Sequence, residues 1–121
     1  MNNPIVEKSF GFAVKIINIA RSIRKEREYE LARQILRSGT SIGANVAEAQ
    51  TAQSERDFLA KMYIAYKETS ETIYWIRLLN ATEIISEKEY QGVIKDAEEI
   101  LKILSSITKS MEERMRSGNT K

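Results

Sequence analysis

The sequence predicts an all-α protein, an antiparallel up-down-up-down four-helix bundle, and three observations predict it. Apolar residues recur at spacings of three and four in four separate segments. Nothing alternates with period two for long enough to make a strand. The connections expected near 25–28, 52–54 and 81–86 are short, which makes consecutive helices antiparallel neighbours.

The first segment starts at Pro4, whose fixed φ suits a first helical turn, with Asn3 as cap. Phe10, Ala13, Val14, Ile17, Ala20 and Ile23 form one apolar stripe, with Lys8, Lys15 and Asn18 on the other side. Gly11 costs this helix about 1 kcal/mol relative to alanine and is read as a close-packing position. The second segment, about 29–53, carries a seam of Leu31, Ile35, Ser38, Ile42, Asn45 and Ala49. Gly39, Gly43 and Ala47, four apart, suit the close approach of another helix; the seam continues on both sides of them, so residues 38–41 are read as helix, although a break there is the competing reading.

Ser54-Glu55-Arg56-Asp57 resembles a capping box and opens the third segment, with Phe58, Met62, Ala65, Tyr66, Thr69, Ile73, Ile76 and Leu79 at helical spacing. Leu59, Tyr63, Tyr74, Trp75 and Leu78 widen its apolar surface, as in a helix touching two layers. Trp75 and Ile76 point about 100° apart, so one of them, with Tyr74, is expected at a subunit interface. Ser86-Glu87-Lys88-Glu89 is a second capping box. Behind it Tyr90, Val93, Ile94, Ala97, Ile100, Leu101, Leu104, Ile107 and Met111 make an unbroken stripe. One domain over 1–115 is expected, with a tail at 116–121 that frays.

Composition narrows the chemistry. The 121 residues are 42% hydrophobic and 30% charged, within the globular range. With no cysteine there are no disulfides, thiolate nucleophiles or zinc ribbons; with no histidine there is no imidazole base and no Glu-x-x-His metal bundle. The expectation is a protein that is not an enzyme and holds no cofactor or metal. Glu68 and Glu71 lie at i and i+3, and pairing with Lys61, Lys67 or Arg77 accounts for them better than a metal. Ser22-Ile23-Arg24-Lys25 and Ser106-Ile107-Thr108-Lys109 match Ser-x-x-Lys by chance, because the companion motifs are missing. No leader-like or membrane-spanning run is visible, so the expected location is cytoplasmic, with no membrane partner.

The net charge of +2 hides a split. Residues 1–37 carry eight basic against four acidic side chains, a net of +4; residues 38–108 carry seven against eleven, a net of −4. Arg21, Arg24, Lys25, Arg27, Arg33 and Arg37 form the sharpest basic cluster and are candidate nucleic-acid-binding residues, since each neutralised phosphate releases counterions. Glu26, Glu28 and Glu30 are interleaved, so a solvated, ion-paired helix end is the competing reading. Arg37, Ser41, Asn45 and Glu48 lie on one side of the second helix; a polar network that fixes register explains them better than a ligand site, Ser41, Asn45 and Glu48 being its core.

The run Leu36-Arg37-Ser38-Gly39-Thr40-Ser41-Ile42-Gly43-Ala44-Asn45-Val46-Ala47-Glu48-Ala49, with Ser54-Glu55-Arg56-Asp57-Phe58, Lys61, Lys67-Glu68, Glu71-Thr72 and Tyr74-Trp75-Ile76, resembles a bacterial family. These are small four-helix-bundle proteins encoded in intervening sequences of large-subunit rRNA genes, some described as ribosomal-protein-like. A related branch is the accessory variability determinant protein of diversity-generating retroelements. The resemblance, over about residues 8–110, implies a homo-oligomer, a five-fold barrel of bundles (a homopentamer). From the retroelement branch it implies RNA or DNA bound on a basic surface and a reverse transcriptase as partner. That branch is strongly basic, which this chain is not. The function expected is thus a non-enzymatic, oligomeric, nucleic-acid-associated bundle; the alternative is a protein-binding adaptor or scaffold ring without nucleic-acid contact.

Overall fold

The computed structural model describes residues 3–119, and within them four helices follow one another: α1 Pro4–Lys25, α2 Tyr29–Ala49, α3 Glu55–Ala81 and α4 Glu87–Asn119. There is no strand among the described residues. The helices pack as a ring, α1 on α2, α2 on α3, α3 on α4 and α4 on α1, the last edge being the least extensive. Among the described residues, the backbones of α1 and α3, and of α2 and α4, stay more than 8 Å apart across the core. Residue order runs oppositely along the α1–α2, α2–α3 and α1–α4 edges, which leaves α3 and α4 opposed as well. The Gly39 position abuts Ile16 while Gly43 abuts Ser9, Arg37 reaches Glu71 while Glu48 meets Lys61, and Lys8 bridges to Glu99 while Lys15 bridges to Asp96. The neighbours are therefore antiparallel.

Local chemistry sets the helix ends. The Ser86 hydroxyl accepts from the Glu89 N–H at 3.0 Å, and the Ser86 N–H donates to the Glu89 carboxylate at 3.0 Å, the reciprocal box the sequence predicts. At α3 the Ser54 hydroxyl accepts from the Asp57 N–H, but Asp57 reaches back one residue further, to the Gln53 N–H at 3.2 Å. Both α1 and α3 close with the paired bonds of a Schellman turn. Glu28 N–H donates to the Ile23 carbonyl and Arg27 N–H to that of Arg24, as Ile84 and Glu83 do to Leu79 and Asn80. Arg27 (φ 68°) and Glu83 (φ 59°) occupy the left-handed positions that glycine usually fills.

The core joins Phe12, Ile16 and Ile23 of α1 to Ile35, Ile42 and Val46 of α2, Met62, Ile76 and Leu79 of α3, and Ile100 and Leu104 of α4. Residues 38–41 do not interrupt α2, and the expected close approach holds at Gly39 and Gly43, whereas Ala47 is exposed. Two expectations need correction. The buried face of α1 is Ile5, Ser9, Phe12, Ile16, Ile19, Ala20 and Ile23; of the predicted stripe, Phe10 is 71% and Val14 47% exposed. Two apolar stripes run along α1, and the one with the larger, more regularly spaced isoleucines is buried. Gly11 is not a packing position, since a Cβ there would meet nothing within 4 Å. Helix α4 runs to Asn119, and residues 120–121 of the expected tail lie outside the described part.

Candidate functional site

Eight basic side chains lie in residues 1–37, and the structure sorts them into two sets of four. Lys8 bridges to Glu99 at 2.7 Å, and Lys15 to Asp96 at 2.6 Å, across the α1–α4 edge. The carboxylate beside it holds the Lys8 ammonium above its ordinary pKa. Arg33 pairs with Glu30 one turn back, a contact that, with the Gln34 amide, lowers the pKa of Glu30. Arg37 is tied to α3 through Glu68 and Glu71. The other four are Arg21, Arg24, Lys25 and Arg27, all exposed, and none has a carboxylate within 4.0 Å among the described residues.

These four stand together at the end of the bundle where α1 gives way to α2, and the Schellman turn puts them there. It ends α1 inside the basic run, fixes Arg27 in its left-handed position, and restarts the chain at Tyr29. Arg24, Arg21, Lys25, Arg27 and Tyr29 line an open pocket of ≈ 550 Å³. An adjoining pocket of ≈ 500 Å³ runs between the helices over Ile17, Ala20, Ala32 and Leu36, and the two share Arg21, Arg24 and Tyr29. The Arg24 guanidinium lies 5.8 Å from the centroid of the Tyr29 ring, a cation–π contact at the boundary between them. Of the six residues expected to converge, five line these pockets and Arg37 does not.

Arg37 instead belongs to a lock between α2 and α3. It reaches Glu68 at 3.2 Å and also Glu71, whose second partner is the Trp75 indole N–H, donating at 3.0 Å. Together these hold the Glu71 carboxyl below its usual range, Arg37 contributing most, and Glu71 in turn raises the Arg37 pKa. The partner of this glutamate pair is thus Arg37, not Lys61, Lys67 or Arg77. Beneath it the buried Thr72 hydroxyl lies 2.9 Å from that of Ser38 and 2.7 Å from the Glu68 carbonyl oxygen, a polar contact between α2 and α3.

Of the residues expected to form one polar network, Ser41 and Asn45 stay together, the Asn45 amide lying 3.4 Å from the Ser41 hydroxyl, and Glu48 turns to α3. Asn45 donates to the Ser41 carbonyl at 2.8 Å within α2, while Glu48 bridges to Lys61 at 3.3 Å. Tyr74 is exposed and meets the Trp75 ring edge-on, centroids 5.2 Å apart; Ile76 is fully buried. Among the described residues no three acidic side chains gather as a metal site requires, and no helix is long and apolar enough to cross a membrane. Sequence reasoning missed the apolar pocket because Leu36 and Ile17 lie just off the buried stripes; the signal available was a leucine beside Ile35 that the α2 seam did not use.

Comparison with known proteins adds three findings. A family model described as 23S rRNA-intervening sequence protein matches residues 1–106. No curated protein matches the chain. A crystal structure of a protein with unknown function from the S23 ribosomal protein family of Bacteroides thetaiotaomicron is 47% identical, with a TM-score of 0.84, and the match covers 87% of this chain and 98% of that one.

Proposed function

Because the chain belongs to the 23S rRNA-intervening sequence protein family, we propose that it is a non-enzymatic, homo-oligomeric bundle protein of the cytoplasm that associates with nucleic acid through the α1–α2 end. One observation carries this reading: the four basic side chains of the first third that have no carboxylate within 4.0 Å among the described residues all stand at that end. Unpaired, exposed cations in a cluster are what a phosphate backbone exchanges for its condensed counterions. The empty inventory of cysteine and histidine supports a binding role over catalysis. The retroelement resemblance adds a partner to the reading, a reverse transcriptase engaged by the assembled ring.

Arg27 supplies the experiment. A non-glycine residue at φ 68° is strained by about 1–2 kcal/mol, so Arg27→Gly relieves the backbone while deleting a cation. Labelled RNA titrated at two salt concentrations is expected to bind R27G and R24E more weakly than the parent, with the salt slope reduced by about 0.7 per lost contact on a single strand. The melting temperature of R27G stays level or rises. Absence of binding by the parent at low salt overturns the reading. A protein-binding ring without nucleic-acid contact is favoured by a different observation, the outward apolar side chains Phe10 and Val14 of α1.

A further inference from the structure

The two pockets that share Arg21, Arg24 and Tyr29 differ in character, and the difference names a ligand. One is a mostly apolar slot between helices, lined by Ala20, Ala32, Ile17 and Leu36, with the Glu30–Arg33 ion pair at its edge. Its small alanines leave room for something flat, and its ≈ 500 Å³ would hold a nucleobase with space to spare. The other is a shelf of guanidinium and ammonium groups, open to solvent. Between them Tyr29, 58% exposed, and Arg24 present a phenol ring and a planar cation. An apolar slot has no use for a phosphate, and a cationic shelf has none for a base. A nucleotide uses both, provided its base is out of the stack.

We propose that the slot and shelf together bind an unpaired nucleotide of a single-stranded nucleic acid, the base entering between Ile17 and Leu36 beside Tyr29 and its phosphate resting on Arg21, Arg24, Lys25 and Arg27. This rests on the nucleic-acid reading above and narrows it to single strands. Bases inside a duplex are paired and stacked, so a duplex reaches only the shelf. Aromatic and guanidinium planes stack any base, so the site favours single strands with little sequence preference. A helical acidic peptide is the other class of ligand with apolar and anionic parts. It lacks the planar face that Tyr29 and Arg24 match.

The test is fluorescence anisotropy at low salt with a labelled unpaired dodecamer, as RNA and as DNA, and with the same strand annealed to its complement. The parent is expected to bind either single strand more tightly than the duplex. Tyr29→Ala weakens single-strand binding about ten-fold, the loss of one base–aromatic stack, and weakens duplex binding less, so the preference for single strands falls. Tyr29→Phe, which keeps the ring, binds as the parent does, and Leu36→Glu, which puts a carboxylate at the slot, behaves like Tyr29→Ala. Both side chains are exposed, and unchanged thermal unfolding of each variant establishes that the loss is not one of folding. If Arg24→Glu abolishes binding while Tyr29→Ala and Leu36→Glu do not, the slot proposal is overturned and nucleic-acid association stands. If no oligonucleotide binds the parent at low salt, both fall. Capture of a labelled leucine–glutamate helical peptide in place of any oligonucleotide overturns the proposal in favour of a protein ligand.

Discussion

An alanine Cβ at Gly39 would stand 2.6 Å from Ile16 Cγ2 and 2.9 Å from Cγ1, inside van der Waals contact. Ile16 is completely buried and β-branched, so it has no free rotamer into which to retreat. Gly39→Ala is therefore expected to destabilise the fold by about 1–3 kcal/mol through overpacking. Gly11→Ala, with open space around the new methyl group, is expected to stabilise it by about 0.5–1 kcal/mol. Urea unfolding of both variants with a common m-value checks the pair, and a stable G39A would contradict the close α1–α2 crossing. In the sequence the two glycines look alike, each inside a helical pattern. What separates them is which side of the helix meets a neighbour. That depends on the choice between two apolar stripes in α1, and periodicity alone does not make it.

Between α2 and α3, Arg37, Glu71 and Trp75 act as one unit, and its behaviour with pH follows from the sign of the Glu71 shift. A carboxyl whose folded pKa is depressed contributes stability that is full above its unfolded pKa, about 4.3 for glutamate. That contribution is lost as pH falls through the lower, folded value. Trp75 is the sole tryptophan and donates directly to Glu71, so its emission reports the event. An acid titration is expected to change Trp75 fluorescence with a midpoint below the ordinary glutamate value, and Glu71→Gln removes that transition. A midpoint at or above about 4.3 would contradict the pairing. The starts of α1, α3 and α4 were legible before this contact was, since Pro4 and the serine–carboxylate pairs mark them locally, whereas the stops at Arg27 and Glu83 carry no glycine to announce them. Partner choice was not. Arg37 and Glu71 are 34 residues apart, and nothing in the spacing of charges says that α2 faces α3 with those two turns level.

Taken whole, the molecule pairs Glu68, Glu71, Asp96 and Glu99 of its acidic segment with α1 and α2, leaving a cluster of cations without such partners at one end and an apolar strip of Phe10 and Val14 along one side. The charge split was readable from counting, yet which cations stay free emerges only once the ring of helices brings carboxylates alongside the others. If the strip is where copies meet, Phe10→Glu with Val14→Glu converts an oligomer to a monomer of unchanged helicity in sedimentation velocity. Tyr74→Ala tests the α3 surface expected from the sequence by the same measurement. A monomeric parent at micromolar concentration contradicts self-association altogether. The order of helices around the ring also has a meaning in time. Three of its four edges join helices consecutive in the chain, so each forms by closing a short hairpin. Only the α1–α4 edge must bring distant segments together, and it is the thinnest, clasped by Lys8 and Lys15. Such a low contact order belongs to fast folders, and it makes that seam the last edge to close and the first to open.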